Sequence, residues 1–228
     1  MSVADFSFTD DLDLTDKQIN TTKETYFKYA DNYVTNFERT QGALEKSRPF
    51  TLDPFLTHYR NLHLTHPVLF AGCGSCRDLE FTSKQNIPTF GLDISQPMLN
   101  IARNVGIEVP LEVMDILNIS FADNSFDGIF CETALSHIKK AKLDKVFKKY
   151  FQILRGGGIA LIGMRLGDGR VYYTNDLTGG IRYNTTVTKK EIENKIVDTG
   201  FKIIETNICI HQKPERPPFL NLIIQKPK

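Results

Sequence analysis

The chain has no surplus of charge of either sign: 28 lysines and arginines stand against 27 aspartates and glutamates. No long-range field is therefore available to hold a nucleic acid or an anionic membrane, and neither is expected as a partner. Long apolar runs are missing as well, since none approaches the roughly 20 residues that cross a bilayer. The first 13 residues are acidic where a secretory signal would be basic and then apolar. A cytoplasmic protein is expected. Four cysteines in 228 residues are too few for a disulfide framework, which agrees with a reducing compartment. Cys131 and Cys209 have no cysteine or histidine partner at ligand spacing, so no metal is expected either.

What is present reads as one α/β domain. Residues 1–13, with Asp5, Asp10, Asp11 and Asp13, read as a flexible leader. Residues 14–62 read as a helical cap and 63–228 as the core. Thr15 and Gln18 fit a capping box, from which a helix should run to about Arg39 with Tyr26, Tyr29, Tyr33 and Phe37 on one face. A second helix is expected over Asp53–Asn61. From Pro67 onward, short apolar runs alternate with helical stretches, the signature of a parallel sheet with crossover helices. Strands are expected at Val68–Ala71, Thr89–Leu92, Leu111–Met114, Gly128–Cys131 and Ile159–Met164. Helices fall at Ser75–Gln85, Gln96–Asn104 (capped by Ser95) and Ala141–Leu154. Gly167–Val187 reads as a loop, Thr188–Thr199 as a helix, and Phe201–Ile210 with Phe219–Gln225 as an antiparallel pair joined by a proline-rich turn.

The most informative segment is Val68-Leu69-Phe70-Ala71-Gly72-Cys73-Gly74-Ser75-Cys76, a buried strand running into a glycine turn and a helix. Gly72 and Gly74 permit a sharp bend, and the free N–H groups of the following helix face whatever lies there. Such a turn at the carboxyl end of a first strand is where open α/β sheets bind nucleotides. Asp93 ends the second strand about 20 residues on, the spacing at which a carboxylate accepts two ribose hydroxyls. Asp115 and the Ile116 amide, after the third strand, can meet an adenine edge.

Together, Pro67 to Met164 resembles the class I S-adenosylmethionine-dependent methyltransferases of small-molecule type. Gly72-Cys73-Gly74-Ser75 is similar to their first motif, and Gly91-Leu92-Asp93-Ile94-Ser95 with Met98 and Ala102 to their second. Asn124-Ser125-Phe126-Asp127 resembles their approach to strand four, and Leu154-Arg155-Gly156-Gly157-Gly158 their turn into strand five. The resemblance implies a Rossmann-like seven-stranded sheet of order 3-2-1-4-5-7-6, with strand 7 antiparallel and helices on both faces. It implies S-adenosyl-L-methionine as cofactor, bound by Tyr26, Tyr33, Ala71, Gly72, Cys73, Gly74, Arg77, Asp78, Asp93, Ile94, Met98, Asp115, Ile116 and Cys131. Two positions depart from the pattern: Phe70 stands where relatives carry an acid for the cofactor ammonium, and Cys76 where they carry a third glycine. Asp78 is the expected substitute for the acid, with Arg77 facing the cofactor carboxylate.

Methyl transfer from a sulfonium needs alignment and exclusion of water, not a covalent nucleophile. His137 or Glu132 is a candidate base for an amine or hydroxyl acceptor, with the structural role the favoured one for His137. A small-molecule methyl acceptor is expected against Arg170, Tyr172, Arg182 and Tyr183. Three alternatives remain open: a Cys73–Cys76 redox pair, a nicotinamide enzyme, and a methyltransferase fold kept only for binding.

Overall fold

The structure, a computed structural model, describes residues 6–40, 42–175, 179–210 and 216–228. In chain order the strands are β1 (Phe6–Phe8), β2 (Val68–Ala71), β3 (Thr89–Asp93), β4 (Leu111–Val113), β5 (Phe126–Glu132), β6 (Leu154–Leu166), β7 (Val171–Asn175), β8 (Ile181–Val187), β9 (Lys202–Cys209) and β10 (Phe219–Gln225). The α-helices are α1 (Asp16–Lys28), α2 (Ala30–Tyr33), α3 (Ala43–Ser47), α4 (Leu52–Asn61), α5 (Arg77–Ser83), α6 (Gln96–Asn104), α7 (Leu143–Ile153) and α8 (Lys189–Asp198).

The central sheet runs β4-β3-β2-β5-β6-β10-β9. Its first five strands are parallel to their neighbours, while β10 runs antiparallel to both β6 and β9. That is the order 3-2-1-4-5-7-6 with the seventh strand reversed. Each core strand is apolar on both faces because helices cover both. One cluster joins Leu69, Cys131, Ile162 and Leu222 to the α7 stripe Leu143, Val146, Phe147, Tyr150 and Ile153. The opposite cluster joins Phe70, Phe130 and Leu161 to Leu52, Phe55 and Leu56 of α4, and to Leu79, Leu99 and Ala102 of α5 and α6. Complete burial of side chains of this size stabilises by about 1.5–3 kcal/mol each.

The Gly167–Val187 stretch departs from expectation. Its described residues form the antiparallel hairpin β7–β8, Tyr173 facing Tyr183, and Arg165–Leu166 at the end of β6 pair with Thr186–Val187 of β8. Alternating Val171, Tyr172, Tyr173 and Thr174 supply β-branched and aromatic residues that suit a strand. The leader departs too: Asp5 and its predecessors lie outside the described residues, but β1 pairs with β7, and the Thr9 amide donates to the Val171 carbonyl at 2.8 Å. Asp13 accepts from the Lys140 amide at 2.8 Å, and Leu14 is buried. Residues 211–215 of the expected proline-rich turn and 176–178 of the expected loop lie outside the described residues.

The expected N-terminal helix is there, with its capping box, but it is broken. After α1 and α2 it widens into a π-turn over Val34–Glu38. Ala30 and Val34 rest on Met98 of α6, so this arm roofs the carboxyl ends of β2 and β3. Among the described residues, no helix is long and apolar enough to cross a membrane.

Candidate active site

The glycine turn after β2 is shaped by its neighbours. Gly72 has φ of +74° and Gly74 of +55°. A Cβ on Gly72 would lie 2.4 Å from the Cβ of Ala134, and one on Gly74 would lie 2.8 Å from the Glu38 carboxylate. Cys76, where a third glycine was the family's choice, sits at φ +64°, a left-handed conformation that a side chain makes costly. Asp93 fastens the turn from β3: its carboxylate accepts the Gly74 amide at 2.9 Å and the Ser95 amide at 2.8 Å. Burial raises its pKa, and these amides offset only part of the rise. Ser95 stands at the α6 N-cap position, but its hydroxyl donates to the Tyr26 carbonyl at 3.2 Å instead of capping.

Between this turn and the N-terminal arm lies a cavity of about 330 Å³. It is lined by Tyr26, Tyr33, Gly72, Cys73, Gly74, Arg77, Asp78, Asp93, Ile94, Met98, Asp115, Ile116 and His137, all expected from sequence. Phe37, Glu38, Phe70, Phe130 and Glu132 line it as well. Ala71 and Cys131 do not. They belong to the core cluster on the other sheet face, because alternation along β2 and β5 gives the cavity Phe70, Phe130 and Glu132 instead.

Asp78 is committed to Arg77, whose Nη2 donates to both its oxygens at 3.0 and 3.1 Å. Glu38, which sequence reasoning missed, comes from the π-turn: Oε1 accepts the Ser75 amide at 2.9 Å, while Oε2 is shut off from solvent with no hydrogen-bond partner. Burial, opposed by Arg77, raises its pKa to about 7. Its neighbour Arg39 donates to the Ser75 carbonyl at 2.7 Å and pairs with Glu80 at 3.0 Å, which latches the arm to the turn. Glu132 is likewise pushed up, by burial and then by Asp78.

His137 is a structural link. A carbonyl only accepts, so Nδ1 carries the proton donated to Tyr183 at 2.8 Å, and Nε2 takes the Tyr26 hydroxyl at 3.0 Å. Burial lowers its pKa to about 4. With both nitrogens engaged, it is poorly placed to serve as a base.

The four expected acceptor contacts do not line the cavity among the described residues. Arg170 pairs with Asp168 at 2.7 Å and lies over the Phe8 ring, away from the site. Tyr172 is buried at the edge of Phe8. Arg182 is nearer, its guanidinium 5.1 Å from the Tyr33 ring centre and 5.8 Å from that of Tyr26. Tyr183 contributes through its backbone to His137 and Thr22. The hairpin thus supports the wall of the cavity from behind, a role hidden while this stretch read as a loop.

The Cys73 and Cys76 sulfurs are 3.4 Å apart. Their shared hydrogen bond and then burial push the Cys73 thiol well above its ordinary range, the reverse of an activated thiolate.

Residues 68–158 match the family model described as a methyltransferase domain. That segment is a methyltransferase domain. Its curated relatives include phosphoethanolamine N-methyltransferase 1 of Arabidopsis thaliana, 29% identical over 59% of this chain and 28% of that protein. Another is the probable tRNA methyltransferase 9B of Mus musculus, 35% identical over 40% of this chain and 20% of that protein. The chain therefore spans less than a third of the length of either. The 1,6-didemethyltoxoflavin-N1-methyltransferase of Burkholderia thailandensis, solved with S-adenosylhomocysteine, shares the fold at a TM-score of 0.66, with 15% identity over 98% of this chain and 95% of that one. S-adenosylmethionine is the cofactor of the methyltransferase domain. The site suits it: a bare glycine turn, an inward carboxylate at the end of β3, and a buried carboxylate oxygen without a partner meet at one cavity.

Proposed function

We propose that the chain is an enzyme that transfers a methyl group in line to a small organic acceptor. The observation that carries this reading is the cavity itself, a concave space of about 330 Å³ lined on one side by the aromatic arm and on the other by the glycine turn. Bound S-adenosylmethionine supplies an electrophilic methyl on a sulfonium. Asp93 would accept the ribose hydroxyls, since a carboxylate already taking two amides keeps lone pairs for them. Asp115 and the Ile116 amide would meet the adenine, with Met98 and Ile94 against its faces. Tyr26, Tyr33 and Phe37 exclude water from the transfer. Glu132, buried in the cavity and raised into a range where it can take a proton, is a better base for an acceptor N–H or O–H than His137.

A cavity partly covered by the chain's own arm and a formal net charge of +1 support a small acceptor over RNA. The test is release of S-adenosylhomocysteine from a panel of metabolites that includes phosphoethanolamine and other amines, with tRNA in parallel. Turnover of a small molecule sustains the reading, and turnover of tRNA alone refutes it. Phe70, packed against Phe130 with ring centres 5.2 Å apart where an acid is usual, favours one alternative, a domain that binds the cofactor without turning it over. Tight S-adenosylhomocysteine binding with no turnover across the panel would select it.

A further inference from the structure

The amino-acid end of the cofactor is a zwitterion, and two buried atoms of opposite character at the turn end of the cavity have no partner. One is an acceptor, Oε2 of Glu38; the other is a donor, Nε of Arg77. Both side chains line the cavity. A buried polar atom left without a hydrogen bond is costly, and two of complementary sense beside one cavity describe the ligand that would relieve them.

We infer that Glu38 and Arg77 form a clamp for an α-amino acid zwitterion, Glu38 Oε2 taking the ammonium and Arg77 Nε donating to the carboxylate. The inference rests on the methyltransferase reading and assigns the methionyl end of its cofactor to a residue of the N-terminal arm. Three observations favour Glu38 in this role over Phe70 and Asp78. The strand-end position is Phe70, which has no charge to offer and belongs to the core cluster with Phe130. Asp78 already holds the Arg77 Nη2 with both oxygens. Glu38 has one oxygen fixed by the Ser75 amide, which aims the other, and its carboxylate lies 2.8–2.9 Å from where a Gly74 Cβ would be, directly on the bare face of the glycine turn.

The clamp is preorganised from behind. Arg77 Nη1 donates to the Glu38 carbonyl at 3.3 Å, Nη2 reaches the Ser47 hydroxyl at 3.2 Å, and Arg39 holds Ser75 by its carbonyl and its hydroxyl. Neither guanidinium nor carboxylate has to be reoriented when the ligand enters. Burial holds the Glu38 carboxyl at about 7 even with Arg77 beside it, so an ammonium on its open oxygen would favour the charged form further.

The experiment is titration calorimetry of the full chain with three probes: S-adenosylhomocysteine, its desamino analogue, and 5′-methylthioadenosine, which lacks the amino-acid end. Glu38→Gln should weaken S-adenosylhomocysteine by about 10- to 100-fold, the worth of a hydrogen bond between charged groups. The same variant should bind the desamino analogue and methylthioadenosine within about twofold of the parent, which also certifies that it is folded. Arg77→Gln should weaken S-adenosylhomocysteine and the desamino analogue, and leave methylthioadenosine unchanged. Glu38→Asp, which keeps the charge on a shorter stem, should recover part of the loss. Equal binding of S-adenosylhomocysteine by Glu38→Gln and the parent overturns the clamp while leaving the methyltransferase reading intact. So does an equal loss for all three probes, which would make Glu38 merely a brace of the turn. A parent chain that ignores S-adenosylhomocysteine and methylthioadenosine alike overturns the cofactor reading and the clamp with it.

Discussion

Replacing Asp93 by alanine tests whether the second strand holds the glycine turn or only a ligand. In the parent, its carboxylate takes the Gly74 and Ser95 amides at 2.9 and 2.8 Å. Truncation leaves both donors unpaired, at about 1–3 kcal/mol each, but also removes a charge that burial disfavours. The net loss should be about 2–4 kcal/mol. For a chain of this size, each kcal/mol is roughly 2–4 °C, so melting should fall by roughly 4–16 °C. Asp93→Asn keeps one acceptor and should lose about half as much. Far-ultraviolet circular dichroism with and without saturating S-adenosylhomocysteine separates the two roles, because a ligand raises the melting point only as far as it still binds. Asp93→Ala should lose that ligand-dependent increment together with intrinsic stability. If it melts within a degree of the parent and gains the same increment, Asp93 neither fastens the turn nor meets the ribose.

Gly72→Ala should cost about 2–4 kcal/mol by urea denaturation, from a left-handed φ and the contact with Ala134. Adding Ala134→Gly should restore the contact part only, and full restoration would refute the backbone argument. His137, lowered to about 4 against an ordinary 6.5, protonates first in the unfolded chain, so its contribution to stability is complete above pH 6.5 and is lost as pH falls toward 4. His137→Gln should flatten that part of the stability profile, and an unchanged slope would mean the ring is not held neutral. Phe70→Asp should destabilise by about 3–5 kcal/mol, the scale of losing a buried phenyl. It should bind S-adenosylhomocysteine no more tightly than the parent by calorimetry, whereas tighter binding would show that the cavity lacked an acid that Glu38 does not replace.

The parallel sheet was legible in sequence because its signals are local: an apolar run, a glycine turn, an acid about 20 residues on. Asp93, Asp115 and Gly72 reach the cavity from three strands as their spacing implied. Cys131 was misplaced for a reason equally local. A strand apolar on both faces, Phe126–Glu132, has no polar alternation to show which residues look toward the ligand. Glu38 gave no signal at all, since its part depends on a π-turn that rotates the end of the arm toward Ser75, a contact 37 residues distant. The β7–β8 hairpin was hidden by glycine, aspartate and threonine around its tip, which read as loop composition while Tyr172 and Tyr173 carried the strand.

The roof of the cavity also carries a consequence for the order of assembly. Thr25 donates to the Ile181 carbonyl at 2.7 Å across 156 residues, and Thr22 accepts from the Tyr183 amide at 2.9 Å across 161. The arm that lines the cavity is thus made well before the hairpin that anchors its α1 face. Until β7 is made β1 has no strand to join, and until residues 181–183 are made Thr25 and Thr22 of α1 lack their partners on β8. Contacts of such long range are slow to form, because a large loop must be closed before they return any stability. The arm can therefore meet the turn early, where Arg39 holds Ser75 and Val34 rests on Met98, while its α1 part waits for the hairpin.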